Sequence, residues 1–183
     1  MILIEAGDEN SVLIKTSSSE FNVIGLSVED FPQIKDNKEI INRLTFSCET
    51  FKDMVRKTAF AASVEEAKGI LTGILTEITP GNVRMVALDG FRLALSNEPV
   101  EIGTEESFII TARIMNEISK IISDDNDAED MEILLSDKKA VFNIGNTEVS
   151  LRLMEGEFIR YRDIIPSDGS TTVIIGKSIL LES

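Results

Sequence analysis

The chain has 183 residues, 43% of them hydrophobic, and a mean hydropathy of +0.07, which predicts one large or two small packed domains and argues against disorder. It carries 18 Lys and Arg against 32 Asp and Glu, a net charge of −14, so the chain as a whole does not favour nonspecific nucleic-acid binding. The absence of histidine excludes a Ser-His-Asp triad, and a single cysteine excludes a zinc cluster of His and Cys ligands.

Nothing in the sequence resembles a secretory leader or a membrane span. No apolar run reaches the roughly 18–20 residues that cross a bilayer, and no basic segment precedes an apolar one. Cys48 has no second cysteine with which to form an internal disulfide, as is usual in a reducing compartment. We therefore expect a cytoplasmic protein with no membrane association.

Turn-rich breaks divide the first segment into three predicted strands, Met1–Glu5, Ser11–Thr16 and Glu20–Ser27. Short breaks between strands of this length are typical of an antiparallel meander. Val28–Lys38 has the composition of a linker. The sequence offers no partner sheet for these strands, so we expect them to be the end of a preceding domain.

The next segment begins with a predicted strand, Ile40–Phe46, followed by a helix that Ser47 is suited to cap. Apolar residues recur at helical spacing along one face of that helix. They are Phe51, Met54, Val55, Thr58, Ala59 and Ala62. Three predicted strands follow, Ile70–Thr79, Asn82–Leu88 and Phe91–Leu95, joined by Pro80-Gly81 and Asp89-Gly90.

The same order of elements then occurs a second time. Ser107–Ile110 is a predicted strand, Thr111 a cap, and Ala112–Ile122 a helix whose apolar stripe is Ile114, Ile118, Ile121 and Ile122, with Met115 at its edge. Three strands are again predicted, Met131–Ser136, Ala140–Ile144 and Glu148–Met154.

Sliding the sequence against itself pairs Phe46 with Ile109 and Phe51 with Ile114, which indicates an internal duplication over residues 40–154. We predict an α+β fold in which a strand-helix-three-strand unit occurs twice, with two adjacent helices packed against antiparallel sheets in pseudo-two-fold symmetry.

The last residues lead out of the duplicated domain. Tyr161–Pro166 is the exit segment, Thr171–Gly176 a predicted strand, and Lys177–Ser183 the start of a helix. We expect the chain to be a piece of a longer protein, with limits at residues 1–38, 39–166 and 167–183.

Six of the 18 cations fall on the polar faces of the two helices or just beyond the first helix. They are Lys52, Arg56, Lys57, Lys68, Arg113 and Lys120. If the helices are adjacent, these side chains form a positive stripe that could follow a phosphate backbone without reading bases. The alternative is an ordinary solvated helix face of mixed charge, since Glu49, Asp53 and Glu117 are interspersed.

The stretch Asp89-Gly90-Phe91-Arg92 predicts a two-residue hairpin turn, because Asp-Gly suits the positive φ angles that such a turn requires. An aromatic ring and a guanidinium then follow the turn beside Leu88 and Leu93. A hydrophobic notch with one cation could hold a short peptide. An ordinary hairpin with an exposed arginine is the alternative.

No other motif points to chemistry. The acidic run Asp124–Asp130 lacks the glycine and the final glutamate of an EF-hand loop, so we interpret it as a solvated loop. No pair of carboxylates has the spacing of an acid and a base, and phosphate-binding glycine loops are missing. We expect neither a metal, a cofactor nor an enzymatic activity.

With the duplication and these motifs together, the sequence resembles the bacterial DNA polymerase III beta subunit, the ring-shaped sliding clamp. The resemblance covers the whole chain. Its motifs are Phe51–Ser63, Leu71-Thr72-Gly73-Ile74, Asp89-Gly90-Phe91-Arg92-Leu93, and Gly156-Glu157-Phe158 followed by Tyr161. The resemblance implies the last strands of a first clamp domain, a complete middle domain, and the start of a third.

The resemblance also implies a function. The family is not enzymatic; its homodimeric ring encircles duplex DNA without sequence specificity, and its helices line the channel where the six cations would fall. The ring tethers the polymerase III catalytic subunit and also binds the clamp loader and other proteins with clamp-binding motifs.

The family's partner groove accepts short hydrophobic peptides. The matching positions here are Leu71, Leu88, Gly90, Phe91, Arg92, Leu93 and Pro166. Leu88 stands where threonine is frequent and Phe91 where histidine or tyrosine is frequent, which implies a more apolar pocket. A peptide-binding scaffold without a DNA role is the alternative function.

Overall fold

The computed structural model describes residues 1–30, 42–124, 129–166 and 169–182. The chain forms two compact units, Met1–Lys38 and Glu39–Ser183, which are described separately. The predicted linker lies mostly outside the described residues, as do most of the acidic run and Ser183. No helix within the described ranges has both the length and the apolar character that a bilayer crossing requires.

The first unit is a three-stranded antiparallel sheet in the order β1-β2-β3. Its strands are β1 (Leu3–Ala6), β2 (Ser11–Lys15) and β3 (Glu20–Ile24). A short 3-10 turn, Asp8–Asn10, joins the first two strands, and another, Val28–Asp30, follows the third. The predicted meander is confirmed.

The second unit contains the predicted duplication. The first half consists of β4 (Asn42–Ser47), α1 (Cys48–Thr58), β5 (Gly73–Thr79), β6 (Asn82–Leu88) and β7 (Leu93–Pro99). The second half consists of β8 (Glu106–Thr111), α2 (Ala112–Asp124), β9 (Asp130–Leu135), β10 (Lys139–Ile144) and β11 (Thr147–Arg152). Two short helices follow, α3 (Tyr161–Ile164) and α4 (Lys177–Glu182).

Each half gives its first strand to the sheet of the other half. The first-half sheet has the order β7-β6-β5-β8, and the second-half sheet has the order β11-β10-β9-β4. The side-chain amide of Asn42 on β4 donates a hydrogen bond to Glu106 on β8, which links the two exchanged strands. Because of this exchange, neither half has a complete sheet alone, whereas the sequence suggested a separate sheet for each half.

The helix caps fix the true register of the duplication. Ser47 Oγ accepts a hydrogen bond from the Thr50 amide at 3.4 Å, and Thr111 Oγ1 accepts one from the Ile114 amide at 3.4 Å. With these caps matched, Phe51 corresponds to Met115, not to Ile114. The predicted self-alignment was therefore wrong by one residue.

Burial agrees with the corrected register. Phe51 is 1% exposed and Met115 0%, whereas Ile114 is only partly buried. Met115 is therefore at the centre of the apolar face of α2, and its predicted place at the edge was wrong. The Phe51 ring also contacts Phe46 and Phe142 edge-on, with centroids 6.1 and 5.8 Å apart.

Both helices pack on the inner faces of the two sheets and contact each other, as the sequence predicted. On the first-half sheet the inner positions include Ile74 and Met85; the matching positions on the second-half sheet are Met131 and Phe142. All four side chains are buried in one core.

Several predicted strand bounds differ from the structure, among them the end of β3 at Ile24 and the end of β7 at Pro99. Residues 70–72 belong to a 3-10 segment, Glu66–Thr72, in which Gly69 has a φ of +52°, so that β5 begins only at Gly73. Phe91 and Arg92 lie in a loop before β7 (see below). Residues 171–176 contain no strand, since the described residues provide no neighbour with which they form a ladder.

Candidate nucleic-acid interface and peptide notch

The two helices form the walls of a groove of about 1030 Å³. Lys52 and Arg56 on α1 face Arg113 and Lys120 on α2 across this groove, which we call the basic groove. The helices are brought side by side because each buries one apolar stripe in the shared core, which leaves their polar faces on the same side. Four of the six predicted cations are thus brought together.

Ion pairs within each helix set the charge of the basic groove. Arg56 pairs with Asp53 and Lys120 pairs with Glu117 at 2.8 Å, two equivalent pairs of the duplication. The hydrogen bond from Lys120 lowers the pKa of Glu117, and the nearby Arg113 adds to this effect. Among the described residues, neither Lys52 nor Arg113 forms an ion pair.

The lining of the groove is positive although the chain is acidic. The lining contains four cations and two carboxylates, those of Glu66 and Glu117, while Asp53 pairs with Arg56 from outside the lining. Lys57 does not line the groove; its Nζ atom lies 2.6 Å from Asp53 and 3.0 Å from Glu98 on β7. The hydrogen bonds to Asp53 and then to Glu98 raise the pKa of Lys57, and both carboxylates pair with this cation outside the groove lining.

Lys68 also lies apart from the basic groove. Its Nζ atom donates to the carbonyl of Asp89 at 3.3 Å, lies 5.5 Å from the centroid of the Phe91 ring, and is 3.7 Å from Glu65. The structure therefore places Lys68 beside the Asp89 loop, where the sequence had grouped it with the helix cations.

The Asp89 loop has four residues, because β6 ends at Leu88, β7 begins at Leu93, and these two residues form the pair next to the loop. The carboxylate of Asp89 accepts hydrogen bonds from the amides of Phe91 and Arg92 at 2.9 and 3.1 Å, and from Arg92 Nε at 2.9 Å. The predicted two-residue turn was wrong, because the Asp89 carboxylate takes the Phe91 amide that such a turn would pair with the Leu88 carbonyl. The Asp89 amide instead donates to the Arg92 carbonyl at 3.3 Å. Gly90 has a φ of +97°, as the dipeptide suggested.

The same hydrogen bonds affect the charge of the loop. The amides of Phe91 and Arg92, followed by the charge of Arg92, lower the pKa of Asp89. Phe91 is 93% exposed, and the Arg92 side chain is more than half exposed. The loop therefore presents an aromatic ring to solvent on an ordered backbone.

Three of the predicted partner-binding residues lie together next to this loop. Leu88 is buried, and Leu71 and Leu93 pack partly buried against the same hydrophobic cluster; we call these three residues the leucine notch. Gly90, Phe91 and Arg92 belong to the adjoining loop. Pro166 is exposed and does not belong to the hydrophobic cluster of the notch.

The sequence missed the floor on which the notch rests. Leu75, Val86, Ile109 and Tyr161 are buried on the outer face of the first-half sheet, and Ile70, Leu93, Met154 and Phe158 pack partly buried against them. The alternation of Ile74, Leu75 and Thr76 along β5 could have revealed an apolar residue on each face of the sheet.

A model of the DNA polymerase III beta subunit, central domain, matches residues 45–159 of the chain. The match spans the duplicated unit, both helices and the leucine notch. The chain belongs to the DNA polymerase III beta subunit family.

Relatives from several bacteria extend the match along the chain. The beta sliding clamp of Halalkalibacterium halodurans is 29% identical over 100% of this chain and 48% of its own length. The beta sliding clamp of Chlamydia pneumoniae is 33% identical over 92% of this chain and 45% of its own length. This member of the beta subunit family therefore spans about half the length of the relatives it matches.

Solved structures confirm the predicted clamp fold. The DNA polymerase sliding clamp from Bacillus subtilis superposes with a TM-score of 0.79 at 26% identity, covering 91% of this chain and 44% of that structure. The DNA polymerase III beta chain from Streptococcus pneumoniae also superposes with a TM-score of 0.79 at 26% identity, and it covers the same shares of the two chains.

Proposed function

We propose that this chain is part of a DNA sliding clamp, a non-enzymatic processivity factor whose homodimeric ring encircles duplex DNA and tethers the replicative polymerase. In this proposal residues 1–38 end the first clamp domain, residues 39–166 form the middle domain, and residues 167–183 begin the third. The clamp loader and other proteins with clamp-binding motifs are the further partners, and the cytoplasm is the location.

The observation that carries the proposal is the basic groove. Lys52, Arg56, Arg113 and Lys120 come from two different helices and meet on one surface of a chain whose net charge is −14. Long cations of this kind contact phosphates without reading bases, which suits a protein that must slide. In the proposed ring this surface faces the DNA.

The leucine notch supports the other half of the proposal. Leu71 and Leu93 are partly buried, so a peptide with apolar side chains could complete their burial. Phe91 and Arg92 at its border would then contact the same peptide. Pro166 remains part of the proposed partner site on the family pattern alone.

Duplex binding by the chain can be tested with labelled DNA of random sequence. Substituting the four groove cations by glutamine should weaken binding about tenfold or more, and should make the salt dependence of log K shallower by about three to four. The matched control removes four cations near the second-half sheet, Arg43, Lys138, Lys139 and Arg152. Equal losses in both quartets would contradict a DNA-facing groove.

The ring function requires a test on the longer protein. It should remain on circular DNA after loading and leave once the circle is cut, because a ring can slide off only over an end. Equal retention on both forms would contradict encirclement. If the longer protein without the four groove cations still binds its partners and still supports full replication, a peptide-binding scaffold explains the function better.

A further inference from the structure

A segment that follows β11 crosses the outer face of the first-half sheet. We call it the strap, Leu153–Pro166. The amide of Leu153 donates to the carbonyl of Lys138 at 2.9 Å, and the amide of Met154 donates to the carbonyl of Ile109 on β8 at 2.9 Å. The strap is thus attached first beside the second-half sheet and then at the edge of the first-half sheet.

The strap is held down by apolar contacts along its length. Phe158 and Tyr161 pack in the cluster formed by Leu75, Val86 and Ile109. Met154 fits closely at Gly73, where an added Cβ would lie 2.7 Å from its sulfur atom. Tyr161 is only 3% exposed, although it lies outside any sheet.

A hydrogen-bonded group then fixes the end of the strap. Glu77 Oε2 on β5 accepts from the Tyr161 hydroxyl at 2.5 Å and from Arg162 Nη2 at 2.9 Å. Arg84 on β6 donates to the Tyr161 oxygen at 3.3 Å and lies 3.7 Å from Glu77 Oε2. The Arg162 guanidinium also lies 5.1 Å from the centroid of the Tyr161 ring. One carboxylate oxygen therefore joins two consecutive strap residues to the sheet.

The duplication shows that the fold does not require this arrangement. With the caps matched, Leu75 and Val86 correspond to Glu132 and Asn143 on the second-half sheet. Glu132 there accepts from Asn143 at 3.1 Å and from Arg43 at 2.7 Å, so these two positions of the second-half sheet are polar. The second-half sheet thus forms without apolar side chains at these two positions, although Val141 on the same face is buried.

The strap and the leucine notch share one hydrophobic cluster, so the position of one depends on the other. We infer that Tyr161 and Glu77 are positioning residues for the proposed partner site: they hold the strap on the sheet and thereby fix the floor beneath Leu71, Leu88 and Leu93. This inference rests on the proposed function of the notch.

The chain provides a direct reporter of this contact, because Tyr161 is its only tyrosine and it has no tryptophan. Burial, followed by the hydrogen bond to Glu77, raises the pKa of Tyr161, while Arg84 opposes the rise. The charged groups that contact the phenol are Glu77, Arg84 and Arg162. In Glu77→Gln the phenolate titration should move to lower pH, whereas in the control Glu132→Gln it should stay in place.

Hydrogen exchange on the full chain tests the positioning role. In Glu77→Gln, and in Tyr161→Phe in case the first variant fails to fold, amides of the strap and of residues 88–93 should exchange about tenfold faster. Amides of α1 should keep their rates, which separates positioning from a global loss of stability. Unchanged exchange at residues 88–93, or a uniform rise throughout the chain, would overturn the inference.

Binding of a labelled peptide, Gly-Ser-Leu-Leu-Phe, separates this inference from the proposed function. We expect weak binding to the wild-type chain and about tenfold weaker binding to Glu77→Gln, with Glu132→Gln equal to wild type. Equal binding to the wild type and to both variants would overturn the positioning role. No binding to the wild type would contradict the proposed notch, while the exchange experiment still decides whether Glu77 holds the strap.

Discussion

The two sheets of the duplicated unit are alike on the faces that meet the helices and different on the faces that look outward. Ile74 and Met85 inside one sheet correspond to Met131 and Phe142 inside the other, and all are buried. Outside, Ile109 on the first-half sheet corresponds to the exposed Thr45 on the second-half sheet. The shared core constrains the inner faces of both halves, whereas the outer faces are free to differ.

The difference identifies a surface that only the first half has. Apolar residues on its outer face pack against the strap and support the leucine notch, while the matching residues of the second half, Thr45, Glu132 and Asn143, are polar. The two helices, by contrast, are alike in function, since each contributes two cations to the basic groove. We infer that DNA contact uses the symmetric side of the unit and partner contact uses the asymmetric side.

The largest effect is expected where the halves are equivalent. Phe51→Ala and Met115→Ala should each lower the free energy of unfolding by about 2–5 kcal/mol, because each empties a fully buried position in the shared core. Urea denaturation followed by circular dichroism gives both values. A loss below about 1 kcal/mol for one of them would break the proposed equivalence of the two helices.

Exchanging matched residues between the outer faces should destabilise the first half and leave the second half nearly unchanged. Val86→Asn buries an amide without partners under the strap and should cost about 1–3 kcal/mol. The reverse exchange, Asn143→Val, removes a partly buried amide whose partner Glu132 keeps its bond to Arg43, and it should change the free energy of unfolding by less than about 1 kcal/mol. Similar losses for both variants in urea denaturation would show that the outer faces are equivalent after all.

The sequence predicted the elements of the fold better than the way in which the strands pair. Helical periodicity and the caps Ser47 and Thr111 predicted both helices, and alternation with turn residues predicted most strands. The exchange of β4 and β8 could not be predicted, because alternation reports which face is buried and not which strand lies alongside.

Residue spacing predicted only the part of the candidate site that lies on regular helices. Cations four residues apart on one helix share a face, so Lys52 and Arg56 were grouped correctly. Lys68 lies directly before Gly69 in an irregular segment, where sequence spacing does not predict which way a side chain points. The Asp89 loop depends on a side-chain acceptor that competes with strand pairing, which residue type alone does not decide.

A smaller effect is expected at an inner position where the halves differ. Thr76 corresponds to Ile133, and its buried hydroxyl has no hydrogen-bond partner among the described residues. Thr76→Val removes this unsatisfied group and should stabilise the fold by about 1 kcal/mol, which thermal denaturation can measure. The matched substitution Ile133→Val should destabilise by about 1 kcal/mol. Destabilisation by both would show that the hydroxyl is satisfied in solution.

The smallest effect concerns the turns of the two halves. Asp89 stabilises the four-residue loop, whereas Gly145-Asn146 joins β10 and β11 through a two-residue turn. Because the folded-state pKa of Asp89 is lowered, its contribution is present above the unfolded pKa and is lost as the pH falls through the folded value. NMR titration of the carboxyl group should show this low pKa, and Asp89→Asn should remove the corresponding part of the acid dependence. A carboxyl titrating in its usual range would contradict the hydrogen bonding described.

We propose that the helical side of the unit contacts DNA and that the outer face of the first-half sheet contacts partner proteins. An NMR titration of the chain with short duplex DNA of random sequence tests it most directly. We predict that amide shifts concentrate on α1 and α2 around Lys52, Arg56, Arg113 and Lys120 and weaken as salt is added. Shifts centred on the strap, the leucine notch or the outer face of the second-half sheet would contradict the claim.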